Sequence, residues 1–215
     1  MPQREEAFRE GAWADVEMMA LADDASRLLC DLIERFKVAP ADGDASADDV
    51  RRHALWFMAI IAFRALRAAM NTFAIGYEDQ AVGFSRLLDE VHNRAQAVHG
   101  DASGKEAREW LAGRNLGKGA KLAGREFWDY LSGPVHANVR AVLDWLTITQ
   151  PDGSNEVKLG PERRPVVANA TLTLMASETR DIANLLALHF GVRLDLRALD
   201  SKIHAAKGKY IPEDG

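Results

Sequence analysis

Residues 54–98 read ALWFMAIIAFRALRAAMNTFAIGYEDQAVGFSRLLDEVHNRAQAV, and the apolar spacing within this stretch decides the fold class. Its first ten residues, 54–63, are the most hydrophobic in the chain, and Arg64 and Arg67 follow directly. A membrane span needs about 20 apolar residues, so the expectation is a buried core helix and no membrane. That helix is predicted to start at a cap on Ser46 or Asp44 and to run to about Ile75, with Gly76 ending it. The link Gly76-Tyr77-Glu78 is short, which makes the next helix, about Asp79 to Val98, an antiparallel neighbour. At 100° per residue Phe84, Leu87, Leu88, Val91, Ala95 and Val98 share one face. Ser85, Asp89, His92 and Gln96 then form a polar flank, with Arg86, Glu90 and Asn93 opposite the apolar stripe.

The same logic extends outward. Alanine is abundant and β-branched runs are rare, which favours helices. A first helix is expected over about Trp13 to Lys37, before the Pro- and Gly-bearing loop at 38–46. Ser103 and Glu106 have the spacing of a capping box at the start of a short helix. A long helix is predicted to begin near Pro165 and to stop at Gly191, and a short last helix follows. One segment, LTITQPDGSNEVKL (146–159), has β-prone runs around a turn sequence. The fold class expected is therefore all-α: one domain over 1–207, an up-and-down bundle with a small β-hairpin insertion near 146–160, and a flexible tail at 208–215.

Of the 215 residues, 47% are hydrophobic and 27% charged, with a net charge of −5. Such a chain can bury a core, and its acidic balance gives no general attraction to nucleic acid. The basic glycine segment RNLGKGAKLAGR (114–125) is the local exception. It lacks the P-loop pattern, so a solvated loop is the plain expectation. The single cysteine, Cys30, excludes an intrachain disulfide and fits a reducing, cytoplasmic setting. Its apolar helical surroundings predict a small buried hydrophobe. The charged N-terminus carries no signal-peptide core.

Several constellations bear chemistry. Ser132 and His136, in YLSGPVHA (130–137), stand four apart as a nucleophile and base could. No G-x-S-x-G elbow accompanies them, and Ser132-Gly133-Pro134 reads as a helix start. Arg86 and Glu90 stand one turn apart, as a surface pair or, if covered, as a buried pair needing partners such as His136. Arg94 and His99 supply an arginine for phosphate and an imidazole for acid–base work. On a continuous helix those two point about 140° apart, so they converge only if the helix ends near Val98. Asp89 and His92 form half of a di-iron motif whose second half is absent. His189 and His204 stand isolated. No metal ligand set and no cofactor is predicted.

Two resemblances follow from these residues. The R-x4-H spacing of Arg94 and His99 resembles the signature of HEPN domains, helical bundles that often act as metal-independent ribonucleases. Residues 54–146, with Arg86-x3-Glu90 and the later Tyr130, Leu131, Ser132 and His136, resemble a family of uncharacterised bacterial all-helical proteins. That family's motif has spacer residues between Tyr and Leu, which are adjacent here, and a Pro after the His, where Ala137 stands. The resemblance implies an all-α bundle distantly related to HEPN domains, with no established activity. The function expected is a cytosolic binding or interaction module that self-associates or takes a protein partner. The alternative is a HEPN-like ribonuclease acting on RNA through Arg94 and His99. A polar network or pocket of Arg86, Glu90, Tyr130, Ser132 and His136 is the further candidate site.

Overall fold

A computed structural model describes residues 16–36, 38, 45–75, 78–113, 147–149, 155–157 and 165–211. Its helices are α1 (Val16–Arg35), α2 (Ala47–Ala74), α3 (Glu78–Gly100), α4 (Lys105–Leu111), α5 (Pro165–His189) and α6 (Arg197–Tyr210). Each begins or ends for a local reason. Ser46 caps α2, its Oγ accepting from the Asp49 amide at 3.1 Å. Pro165 opens α5, where a missing N–H costs nothing. Gly191 closes it at φ 68°, with the amide of Val192 donating to the Ala187 carbonyl at 2.9 Å.

The cap of α4 differs from the expectation. Gly104 occupies the N-cap position at φ 71° and offers no side chain. Asp101 does the work instead, accepting from the Glu106 amide at 2.8 Å and from the amide and hydroxyl of Ser103. These bonds favour the ionised form and hold the Asp101 carboxyl down at about 2, the Ser103 hydroxyl contributing most. Glu106 is one residue too near Ser103's turn to reciprocate, because Gly104 rather than Ser103 is the cap.

Alanines let the helices approach closely. Ala22, Ala25, Ala54, Ala59, Ala62, Ala69, Ala176, Ala183 and Ala187 are fully buried, with Leu29, Leu55, Met58, Leu66, Leu172, Met175 and Leu186 between them. Burying each such large side chain contributes about 1.5–3 kcal/mol. α2 is the central element, packed against α1, α3 and α5. By length and composition alone it could cross a membrane, and half of its most apolar window is buried inside the bundle.

Contacts between helix ends fix the directions. Arg67 of α2 meets Asp23 early in α1, and Trp56 reaches the Ile33 carbonyl late in α1, so these two run antiparallel. α2 starts beside the ends of α3 and α5, at His99 and His189. It is therefore antiparallel to both, and α3 and α5 are parallel to each other. Phe36 after α1 stacks on Phe190 after α5 at 4.2 Å, which makes α1 parallel to α5 as well. The up-and-down order expected for the bundle holds from α1 to α3, and most of the connection from α4 to α5 lies outside the described residues. α6 folds back on α5, held by the Arg180 fork on Asp200 at 2.6 and 2.9 Å.

The architecture is all-α. Two three-residue segments, Thr147–Thr149 and Asn155–Val157, pair antiparallel with Ile148 opposite Glu156. Six backbone positions do not support the expected hairpin insertion as a folded unit, because 150–154 and 158–164 lie outside the described residues. α6 runs to Tyr210, so residues 208–210 of the expected tail are helical. Cys30 is half-buried at the edge of the core. Desolvation first, then Glu34 and Asp31, push its thiol up, away from reactivity.

Candidate functional site

The polar flank of α3 is not a solvent face. Ser85, Asp89 and His92 are buried, at 5%, 4% and 2% exposure, because the parallel helix α5 lies against them. The two helices keep register along the seam. Glu178 feels the charge of Asp89; His92 Nε2 lies 3.7 Å from Asp181 Oδ2; His99 Nδ1 lies 3.0 Å from His189 Nε2. Gln96 joins the middle to the outer end, its Nε2 lying 3.0 Å from His92 Nε2.

The outer end opens at the bundle's tip. His99 is exposed, whereas the His189 side chain is 7% exposed. Asp48 Oδ1 stands 3.8 Å from His189 Nδ1, and Arg52 donates through Nε to the His189 carbonyl at 2.9 Å. Asp48 also pairs with Arg52 at 2.7 Å and Arg51 at 3.2 Å. The Nε of Arg51 is buried without a hydrogen-bond partner. Burial, then the charges of Arg51 and His99, hold the His189 imidazole below its ordinary value, with Asp48 opposing them. A neutral His189 carries one N–H, and the Asp48 carboxylate favours it on Nδ1. Nε2 of His189 then accepts from Nδ1 of His99, whose ring is exposed. A carboxylate, an orienting imidazole and an exposed imidazole in series are the elements of general acid–base chemistry.

The inner end is acidic and buried. Burial raises the Asp89 carboxyl to about 6; Asn93 and Arg86 oppose the rise and Glu90 adds to it. Neither Asp89 oxygen has a hydrogen-bond partner of good geometry, nor have Asn93 Oδ1 and His92 Nδ1. Desolvation, with Asp89 and Asp181 nearby, raises Glu178 well above the usual range, against the pull of Lys207. Burial lowers His92, Asp181 opposing and Lys207 assisting.

The residues predicted as sites are placed as follows. α3 continues unbroken through Gly100, so the condition for Arg94 and His99 to converge is not met. His99 joins His189, and Arg94 stands about 140° around the helix from it. Arg86 pairs with Glu90 at 3.3 Å, the arginine 14% and the glutamate 52% exposed. Tyr130, Ser132 and His136 lie outside the described residues, as do Trp128, Trp145 and the basic segment 114–125. Among the described residues no three His, Cys, Asp or Glu side chains meet as metal ligands.

Asp48, Arg51, Arg52 and His189 were missed because they gather from two helices far apart in sequence. The one signal available was His189 in the last turn before Gly191, which fixes it at a helix end. No known family, curated protein or solved structure matches the chain.

Proposed function

We propose that this protein is a cytosolic helical binding module whose ligand site is the open end of the α3–α5 seam, and that it binds a phosphate-class anion there. The observation that carries this reading is the 3.0 Å contact of His99 with His189 beside Arg51 and Arg52. The unpartnered Nε of Arg51 supplies a donor, and a guanidinium matches phosphate oxygens in geometry as well as charge. Phe57 and Leu188, exposed on α2 and α5, support the self-association expected for such a module.

A second reading is favoured by the backing of His99. An exposed imidazole oriented by His189 and Asp48 suits a metal-independent ribonuclease, the activity that HEPN resemblance implies. In that reading the phosphate-steadying role passes from Arg94 to Arg51 and Arg52, and His99 Nε2 takes the proton of the attacking 2′-hydroxyl.

Imidazole-detected NMR titrations with inorganic phosphate and with a short single-stranded RNA, paired with an RNA-cleavage assay, test both. Saturable shifts at His99, lost in His99→Ala and His189→Ala, are expected. No shift with either ligand overturns the binding reading, and absent cleavage by the unaltered protein overturns the ribonuclease.

A further inference from the structure

The inner end of the seam has a chemical demand that its neighbours meet only in part, the Asn93 side chain being the one group among the described residues that favours ionised Asp89 by hydrogen bonding. Asp89 is 4% exposed and Asn93 6%, and three of their oxygens, Asp89 Oδ1, Asp89 Oδ2 and Asn93 Oδ1, lack hydrogen-bond partners. All three are acceptors. Unpaired acceptors in a buried place are costly, about 1–3 kcal/mol each, and native structures reserve them for sites where something else donates.

The charges around them have the matching sign. From α3 come Arg86 and Glu90, which pair with each other, and His92, which burial keeps neutral. From α5 come Glu178 and Asp181, and Asp181 is 2.7 Å from Arg180. Arg180 is itself forked onto Asp200 of α6. From α6 comes Lys207, whose ammonium donates to Ser177 at 2.8 Å. Among the described residues the carboxylates exceed the cations, and Asp89 and Glu178 are left without a direct cationic partner. Asp181, 36% exposed, marks where the seam reaches solvent. The acceptors are one carboxylate and one neighbouring amide oxygen, a set that a planar group with several N–H donors can satisfy together.

We propose that the inner end of the α3–α5 seam is a second binding site, taking the guanidinium group of a small organic cation against Asp89 and Asn93. A guanidinium presents up to five N–H donors in one plane, enough for both oxygens of a carboxylate and the neighbouring amide oxygen. It is also weakly hydrated for a cation, which lowers the cost of burial relative to an ammonium. Glu178 and Asp181 supply the surrounding negative charge. In the absence of the cation a proton takes its place on Asp89, which accords with a carboxyl raised to about 6. Cation and proton therefore compete for one carboxylate: at pH 8 the cation meets an ionised Asp89, and at pH 5 it must displace a proton, which is released. Competition with one proton at that value weakens apparent affinity about tenfold between those two pH values.

The test is a titration of the full chain with agmatine at pH 8 and pH 5, followed through the Asp89 carboxyl carbon by NMR and through heat by calorimetry. A saturable shift at pH 8 is expected, weaker by about tenfold at pH 5. Asp89→Asn should abolish it, and Asn93→Leu should weaken it about tenfold. Asp195→Asn, at an exposed loop, should leave it unchanged. Circular dichroism establishes that each variant is folded, and Asp89→Asn removes a charge that burial already disfavours. No saturable change with millimolar agmatine at pH 8 overturns the proposal, as does unaltered binding by Asp89→Asn. Equal binding of n-butylamine overturns the assignment to a guanidinium, and a response to pH alone shows a site that takes only a proton.

Discussion

His99 Nδ1 lies 3.0 Å from His189 Nε2, across ninety positions of sequence. This contact exists because α3 and α5 run parallel and in register. One ring donates and the other accepts, so at least one must be neutral, and burial beside Arg51 decides that it is His189.

The pair should leave a pH signature in stability. The folded-state value of His189 lies below its unfolded 6.5, so folding releases a proton from this site when the unfolded chain is charged. The contribution is complete above about 6.5 and falls as pH drops below it. Urea unfolding of the unaltered protein and His189→Gln between pH 5 and 8 should show a gap that narrows toward acid. A gap independent of pH would contradict the neutral assignment.

Asp89→Asn should behave oppositely. A carboxyl raised to about 6 is protonated on folding, so its burden is absent below the unfolded value of 3.8 and grows as pH rises through 6. The variant should be more stable than the unaltered protein by about 1–2 kcal/mol at pH 8, less than the full shift implies because the seam edge is wet. At pH 4 the two should unfold together.

Gly104 is held between two constraints. Its φ of 71° is one that L side chains rarely adopt, and an added Cβ would meet Ala47 Cα and carbonyl oxygen at 3.1 Å. Gly104→Ala should cost about 1–3 kcal/mol. Gly113 has the same φ and open space around it, so Gly113→Ala should cost only the backbone part, about 1 kcal/mol. The difference between the two melting shifts measures how tightly α4 seats on α2.

Removing the cap of α4 by Asp101→Ala should destabilise by about 0.5–2 kcal/mol. Asp101 is depressed to about 2 by its bonds to Ser103 and Glu106, so its contribution is present above 3.8 and is lost as pH falls toward 2. Ser103→Ala removes one donor and leaves the Glu106 amide bond, and should cost less. Hydrogen exchange at the Glu106 amide reads both directly.

Much of the helical layout was legible. Ser46 as a cap, Pro165 as a first turn and Gly191 as a stop are local signals, each set by which backbone groups lack partners at a helix end. The antiparallel α2–α3 hairpin followed from a link too short for anything else. Asp101 was not legible as the cap of α4, because the choice between Ser103 and Gly104 as the cap position depends on the close seating of Gly104 against Ala47. The polar flank of α3 was visible as Ser85, Asp89, His92 and Gln96, but sequence periodicity gives a helix's faces without saying what covers each one. A flank beside an apolar stripe is ordinarily wet, and here the parallel approach of α5 dried it.

The sequence by itself determined that the chain is helical, where several of its helices begin and stop, and which side chains share a face, because those depend on neighbours within about four residues. The tertiary structure alone decided that α5 lies parallel to α3. That one relationship moved His99 away from a shared role with Arg94 and onto His189, Asp48 and Arg52. It also turned Asp89 from a surface carboxylate into a buried acid. Both outcomes depend on contacts between residues about ninety positions apart, and local propensity carries no information about which distant helix will supply them.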